Sequence, residues 1–113
     1  QFGDEGVVSG LAVTWSSGNT LAVASGSIQI NGSTVAVSST SVAIAQANGG
    51  RHRLDLVVVN SSGTVSAVDG TASLTPTSPS IPANSLLLAT VFVPAGSTTL
   101  DATRVIDKRV FVD

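Results

Sequence analysis

A single histidine, seven acidic and five basic residues carry the ionisable side-chain chemistry of this 113-residue sequence, since cysteine and tyrosine are absent. His52 is the natural starting point, with Asp55 three residues on. A Ser-His-Asp site needs the imidazole within hydrogen-bond reach of both partners. On a strand, residues three apart point to opposite faces, and no Gly-x-Ser-x-Gly elbow is present. His52 therefore reads as a loop-to-strand residue in solvent or at an interface. Asp4, Glu5 and Asp101 are the acids best placed on loops, yet no Asp-x-Asp-x-Asp-Gly calcium loop surrounds them. No pair of carboxylates is set out as glycoside hydrolysis requires. The sequence implies no catalytic residue, no metal site and no cofactor.

The pattern with the clearest physical content is a matched pair of charges. Arg53 and Asp55 stand two apart, as do Asp107 and Arg109. On strands, each pair shares one face, where a guanidinium can grip a carboxylate through two parallel hydrogen bonds. Where only 11% of residues are charged, this placement reads as a register-setting network that bridges strands or subunits. Trp15 follows a strand and precedes Ser16-Ser17-Gly18-Asn19. It is a ligand or interface contact in one reading, stacking on a sugar ring, and a core or interface anchor in the favoured one. His52 is the second candidate contact. Asn31-Gly32-Ser33 and Asn60-Ser61-Ser62 match the glycosylation sequon but also serve as turns. Lys108, the only lysine, is the sole residue able to form a Lys–Asn crosslink.

The elements that must position these groups are strands. No segment keeps a helical period over the ~11 residues needed to define one. Short apolar or alternating runs instead recur between turn signals, as in a sandwich or barrel. They cover residues 7–15, 21–24, 27–30, 34–37, 41–45, 53–59, 64–68, 71–74, 86–93, 98–101 and 104–112. Asn31-Gly32 and Asp69-Gly70 are hairpin signals, because both dipeptides tolerate positive φ. Residues 53–59 read as the central strand, being continuously apolar in their second half. Three of the four prolines fall in residues 75–84, which makes that segment an extended crossover, since proline cannot complete a ladder. The expected fold is an all-β, antiparallel sandwich, jelly-roll-like, of about eight to ten short strands without substantial helix. Residues 1–113 form one domain. With no methionine even at position 1, the expectation is an excerpt or processed part of a longer chain.

Composition narrows the partners. Aromatic residues make up 4% and charged residues 11%, against roughly 25% charged in average domains. Ser, Thr, Gly and Asn must cover the surface, which suits extracellular or virion proteins and long interfaces between chains. A net charge of -2 and a pI near 5.0 argue against nucleic acid, which needs clustered Lys and Arg. No apolar run approaches the ~18 residues of a membrane-spanning helix. A core of Val, Ala and Leu is thin for a lone monomer, which points to a homo-oligomer. The small-residue faces of residues 7–13 and 86–93 are the expected interface.

Taken in order, several segments resemble a small β domain of tail-fibre, baseplate and receptor-binding proteins of tailed bacteriophages. They are Gly6-Val7-Val8-Ser9-Gly10-Leu11-Ala12-Val13, Ala24-Ser25-Gly26-Ser27-Ile28-Gln29-Ile30-Asn31-Gly32, and Arg53-Leu54-Asp55-Leu56-Val57-Val58. The prolines before Leu86-Leu87-Leu88-Ala89-Thr90-Val91, the turn Pro94-Ala95-Gly96-Ser97-Thr98 and the ending Ile106-Asp107-Lys108-Arg109 complete the series. The resemblance spans nearly the whole chain. It implies a non-enzymatic virion domain, usually trimeric about a fibre axis. Such a domain acts as a spacer, shoulder or connector beside other tail proteins and positions the receptor-binding parts. Two alternatives stay open: the domain itself binds a host surface glycan or protein, or it decorates the capsid as a head fibre.

Overall fold

In the computed structural model of the chain, residues 6–30, 32–44, 50–77, 79–96, 100 and 104–109 are described. They form ten strands and no α-helix: β1 (Gly6–Gly10), β2 (Val13–Ser17), β3 (Thr20–Val23), β4 (Gly26–Ile30), β5 (Ser33–Val37), β6 (Thr40–Ala43), β7 (Arg53–Asn60), β8 (Val65–Val68), β9 (Ser85–Val93) and β10 (Val105–Asp107). All strand pairs are antiparallel, and the strands fall into three sheets, in the orders β1-β4-β5, β2-β3-β6 and β10-β9-β7-β8. The fold is all-β and sandwich-like. One apolar cluster joins the three sheets, with Val7 and Ile28 from the first, Leu21 and Val23 from the second, Val57 and Val91 from the third.

β7 is the central strand of the largest sheet, between β8 and β9. Positions 55 to 59 are buried without a break, so both faces are covered, as the continuous apolar run requires. β4 and β5 meet in register from Gly26↔Val37 to Ile30↔Ser33. That leaves a two-residue connection in which Gly32 takes φ +79°, a left-handed value open to glycine at little cost. Residues 75–84 contain no strand among the described positions. The expected strand over residues 98–101 and the end of the last one lie outside the described residues, apart from the buried Leu100.

Two expectations change. The run over residues 7–15 is not one strand but two, broken where Gly10 and Leu11 adopt φ +69° and +65°. A left-handed leucine costs roughly 1–2 kcal/mol, offset here by complete burial of its side chain. Nor does Asp69-Gly70 close a hairpin onto a strand at residues 71–74. The chain runs on beside β7 instead, and Ser73 makes an isolated bridge to His52, with each backbone N–H bonding the other's carbonyl.

Candidate functional site

Asp55 is the most deeply placed charge among the described residues, with no exposed surface. It lies on the face of β7 that also carries Val57 and Val59, because alternate residues share a face. Arg53, on the same face, closes onto it with two bonds: Nε to Oδ1 at 2.6 Å and Nη2 to Oδ2 at 2.9 Å. The hydrogen bond to Asp55 holds the Arg53 guanidinium above its ordinary pKa, against the opposing effect of burial. The third donor comes from outside the strand. β8 pairs with β7 as far as Val68↔Leu56, and the next turn of chain brings the Gly70 N–H to Asp55 Oδ1 at 3.0 Å. Only glycine fits there, since a Cβ on residue 70 would stand 2.0 Å from the Leu54 carbonyl oxygen.

Asp107 and Arg109 make the second pair, at the exit of β10. Arg109 Nη2 donates to Oδ2 at 2.7 Å and Nε to Oδ1 at 3.0 Å, while the Arg109 backbone N–H donates to Oδ1 at 2.9 Å. These bonds hold the Asp107 carboxyl below its ordinary pKa and the Arg109 guanidinium above it. Arg109 Nη1 reaches the Gly10 carbonyl at 2.8 Å, across 99 positions of sequence. Each pair closes between residues two apart, the second with Arg109 just past the end of β10, and β9 lies between β7 and β10. The geometry is thus two latches, each joining a strand to a distant backbone group: Gly70 N–H in one, Gly10 C=O in the other.

Gly10 has a second role. A Cβ at Gly10 would lie 2.1 Å from the Ser25 carbonyl oxygen, and a Cβ at Gly26 2.1 Å from that of Ser9. The two glycines stand opposite each other where β1 meets β4, at a separation neither backbone could reach with a side chain present.

The remaining candidates are placed as follows. His52 is half-buried and its Nδ1 accepts the Ala95 N–H at 2.9 Å. Its ring lies 5.4 Å from that of Phe92, so it ties the entry of β7 to the turn after β9. Trp15 is 38% exposed and donates its Nε1–H to the Gly18 carbonyl at 3.0 Å, which braces the turn between β2 and β3. The structure does not bring Trp15 and His52 into contact with one another. Asn60 Oδ1 accepts N–H groups from Ser62 and Thr64, an Asx-type turn. Asp4, Glu5, Asp101 and Asn31 lie outside the described residues. Among the described residues no three His, Cys, Asp or Glu side chains cluster as metal ligands would, and no helix is long and apolar enough to cross a membrane.

Spacing alone brought out both Arg–Asp pairs. It did not reveal Gly70 and Gly10 as their partners, or Phe92 as the neighbour of both His52 and Arg104. The doublet Asp69-Gly70 was a turn signal, and Gly10 and Gly26 were visible only as motif glycines. Fold and latches together define an all-β, sandwich-like domain whose paired charges brace its backbone. Compared with known proteins, the chain matches no family profile, no curated protein and no solved structure.

Proposed function

We propose that this domain is a structural spacer or connector of a virion appendage, of the tail-fibre or baseplate kind its motifs resemble, and that it works by rigid shape rather than chemistry. The observation that carries the reading is the use made of the charged pairs. Asp55 has both oxygens hydrogen-bonded and no solvent contact, a geometry suited to holding backbone segments rather than exchanging protons. The latch residues and the opposed glycines also fall within the segments that carry the resemblance, Gly70 aside.

The homo-oligomer, a trimer in this reading, needs a free face. Leu88, Ala89, Val91 and Val93 are buried in the chain's own core, which leaves little of residues 86–93 for a partner. A better surface is the concave outer side of the β2-β3-β6 sheet. Thr14, Ala22 and Ser41 stand in one cross-strand row there, and Ala12, Ala24 and Ser39 line the same 510 Å³ hollow. Small side chains let another backbone come close. The test is the mass of the domain in solution. The expected result is a trimer at micromolar concentration; a stable monomer under those conditions overturns both the fibre-axis reading and this interface.

A further inference from the structure

Outside the latches, one cluster has hydrogen-bonding capacity beyond what the fold uses. Phe92 pairs with Leu54 across β7 and β9, and alternation places His52 on the same side of the sheet as Leu54. The His52 and Phe92 ring centroids are 5.4 Å apart, tilted by 37°. From the β10 side, the Arg104 guanidinium carbon stands 5.6 Å from the centre of the Phe92 ring. His52, Phe92 and Arg104 are all half-buried.

The hydrogen-bonding capacity around this ring is one-sided. An imidazole whose Nδ1 accepts the Ala95 N–H carries its proton, when neutral, on Nε2, and so presents a donor. A guanidinium within cation–π reach of an aromatic ring spends none of its N–H donors in hydrogen bonds to that ring. The edges of Arg53 and Arg109 meet carboxylates; among the described residues none meets that of Arg104. His52 and Arg104 thus bring N–H donors to one aromatic ring, and among the described residues no carboxylate pairs with either. Ile106, two residues past Arg104 on β10, is 47% exposed and adds apolar surface at the edge of the cluster.

We propose that Phe92, His52, Arg104 and Ile106 form a binding site for a saccharide bearing an oxyanion, best a uronic-acid carboxylate. The carboxylate takes the Arg104 edge in the two-bond geometry that guanidinium favours. The His52 Nε2–H meets a further sugar oxygen, and the C–H face of the ring lies on Ile106 and the border of Phe92. The site goes beyond the spacer reading and does not depend on it, since a monomeric domain would bind equally.

The experiment titrates the isotope-labelled domain with sodium glucuronate, with neutral methyl glucoside and with inorganic phosphate, following backbone amide shifts. Glucuronate is expected to shift the amides of Phe92, Ala95 and Arg104 saturably, while methyl glucoside does not. In Arg104→Gln the affinity drops about tenfold or more, as for loss of a charged hydrogen bond, with the rest of the amide spectrum unchanged. Arg104→Lys retains part of the binding and none of the two-bond advantage. Phosphate binding as tightly as glucuronate would overturn the saccharide assignment. Absence of shifts with all three probes, or unaltered binding in Arg104→Gln, would overturn the site.

Discussion

At the scale of single residues, the question is what a buried ion pair contributes to a domain with so few charges. Removing two ions from water costs several kcal/mol each, and their attraction recovers that only when every polar atom is satisfied. Asp55 meets the condition through Arg53 and Gly70. The isosteric replacement Asp55→Asn removes the hydrogen-bonded carboxylate from the Arg53 guanidinium, in a site where Arg53 is 9% exposed and otherwise feels the charge of Asp69. The expected loss is about 3–5 kcal/mol, read from urea denaturation. Adding Arg53→Leu removes the guanidinium charge that has lost its carboxylate hydrogen bonds, while the amide oxygen introduced by Asp55→Asn still accepts from Gly70. The double variant should therefore recover most of the loss, and one no more stable than Asp55→Asn would show that the charge itself is not what matters. Asp107 differs because its side chain is more than half exposed. Its carboxyl sits below the ordinary range, chiefly through the Arg109 bonds. A depressed folded pKa gives stability that is complete above the unfolded value, about 3.9, and is lost as pH falls through the folded one. Solvent screening keeps this below about 1 kcal/mol. Wild type should exceed Asp107→Asn in urea midpoint at neutral pH, and the two curves should converge in acid.

At the scale of elements, backbone contact decides where strands begin and end. β1 and β4 approach so closely at Gly10 and Gly26 that an added Cβ on either would meet a carbonyl oxygen at 2.1 Å. Gly10→Ala combines that overlap, worth about 1–3 kcal/mol, with the roughly 1–2 kcal/mol of a left-handed alanine. Gly26→Ala has the overlap alone. Gly32→Ala, with φ +79° and open space around it, has only the conformational cost. Thermal midpoints should thus fall most for Gly10→Ala, and Gly10→Ala with Gly26→Ala should cost less than the sum, since both push one strand pair apart. The same elements mark what the sequence could disclose. The β class, the Asn31-Gly32 hairpin and the central β7 rest on local signals: alternation, a two-residue turn and an unbroken apolar run. The break at Gly10-Leu11 was hidden, because a leucine driven into left-handed geometry by burial leaves no mark in its own neighbourhood. Asp69-Gly70 misled for a related reason. The doublet permits a turn, but the glycine is needed beneath the Leu54 carbonyl and as a donor to a carboxylate 15 residues away. The Arg–Asp pairs were legible at spacing two, whereas their backbone partners and the Phe92–Arg104 contact are products of topology.

At the scale of the whole molecule, surface area bears on how an oligomer would assemble. The domain measures 47 × 24 × 20 Å with a radius of gyration of 14.1 Å, a little above the ~13 Å of an average domain of this length. Its accessible surface is 5857 Å², and a compact monomer of 11.2 kDa is expected to expose about 5,700 Å². A chain that completes its core only inside a trimer would show a clear excess as a single subunit; this one does not. The thin Val, Ala and Leu core is nonetheless closed within one copy, with Leu11, Leu21, Ile28 and Val59 each at 2% exposure or less. Subunits in the proposed trimer therefore join as folded units through preformed faces. Dilution should dissociate the trimer into monomers that keep the strand signal in far-ultraviolet circular dichroism, and Ser41→Arg, on the outer β2-β3-β6 face, should shift the equilibrium to monomer with no change in thermal midpoint at high dilution. Loss of strand signal in step with dissociation would instead mean that folding and assembly are one event, and that the closed core of the single chain does not suffice.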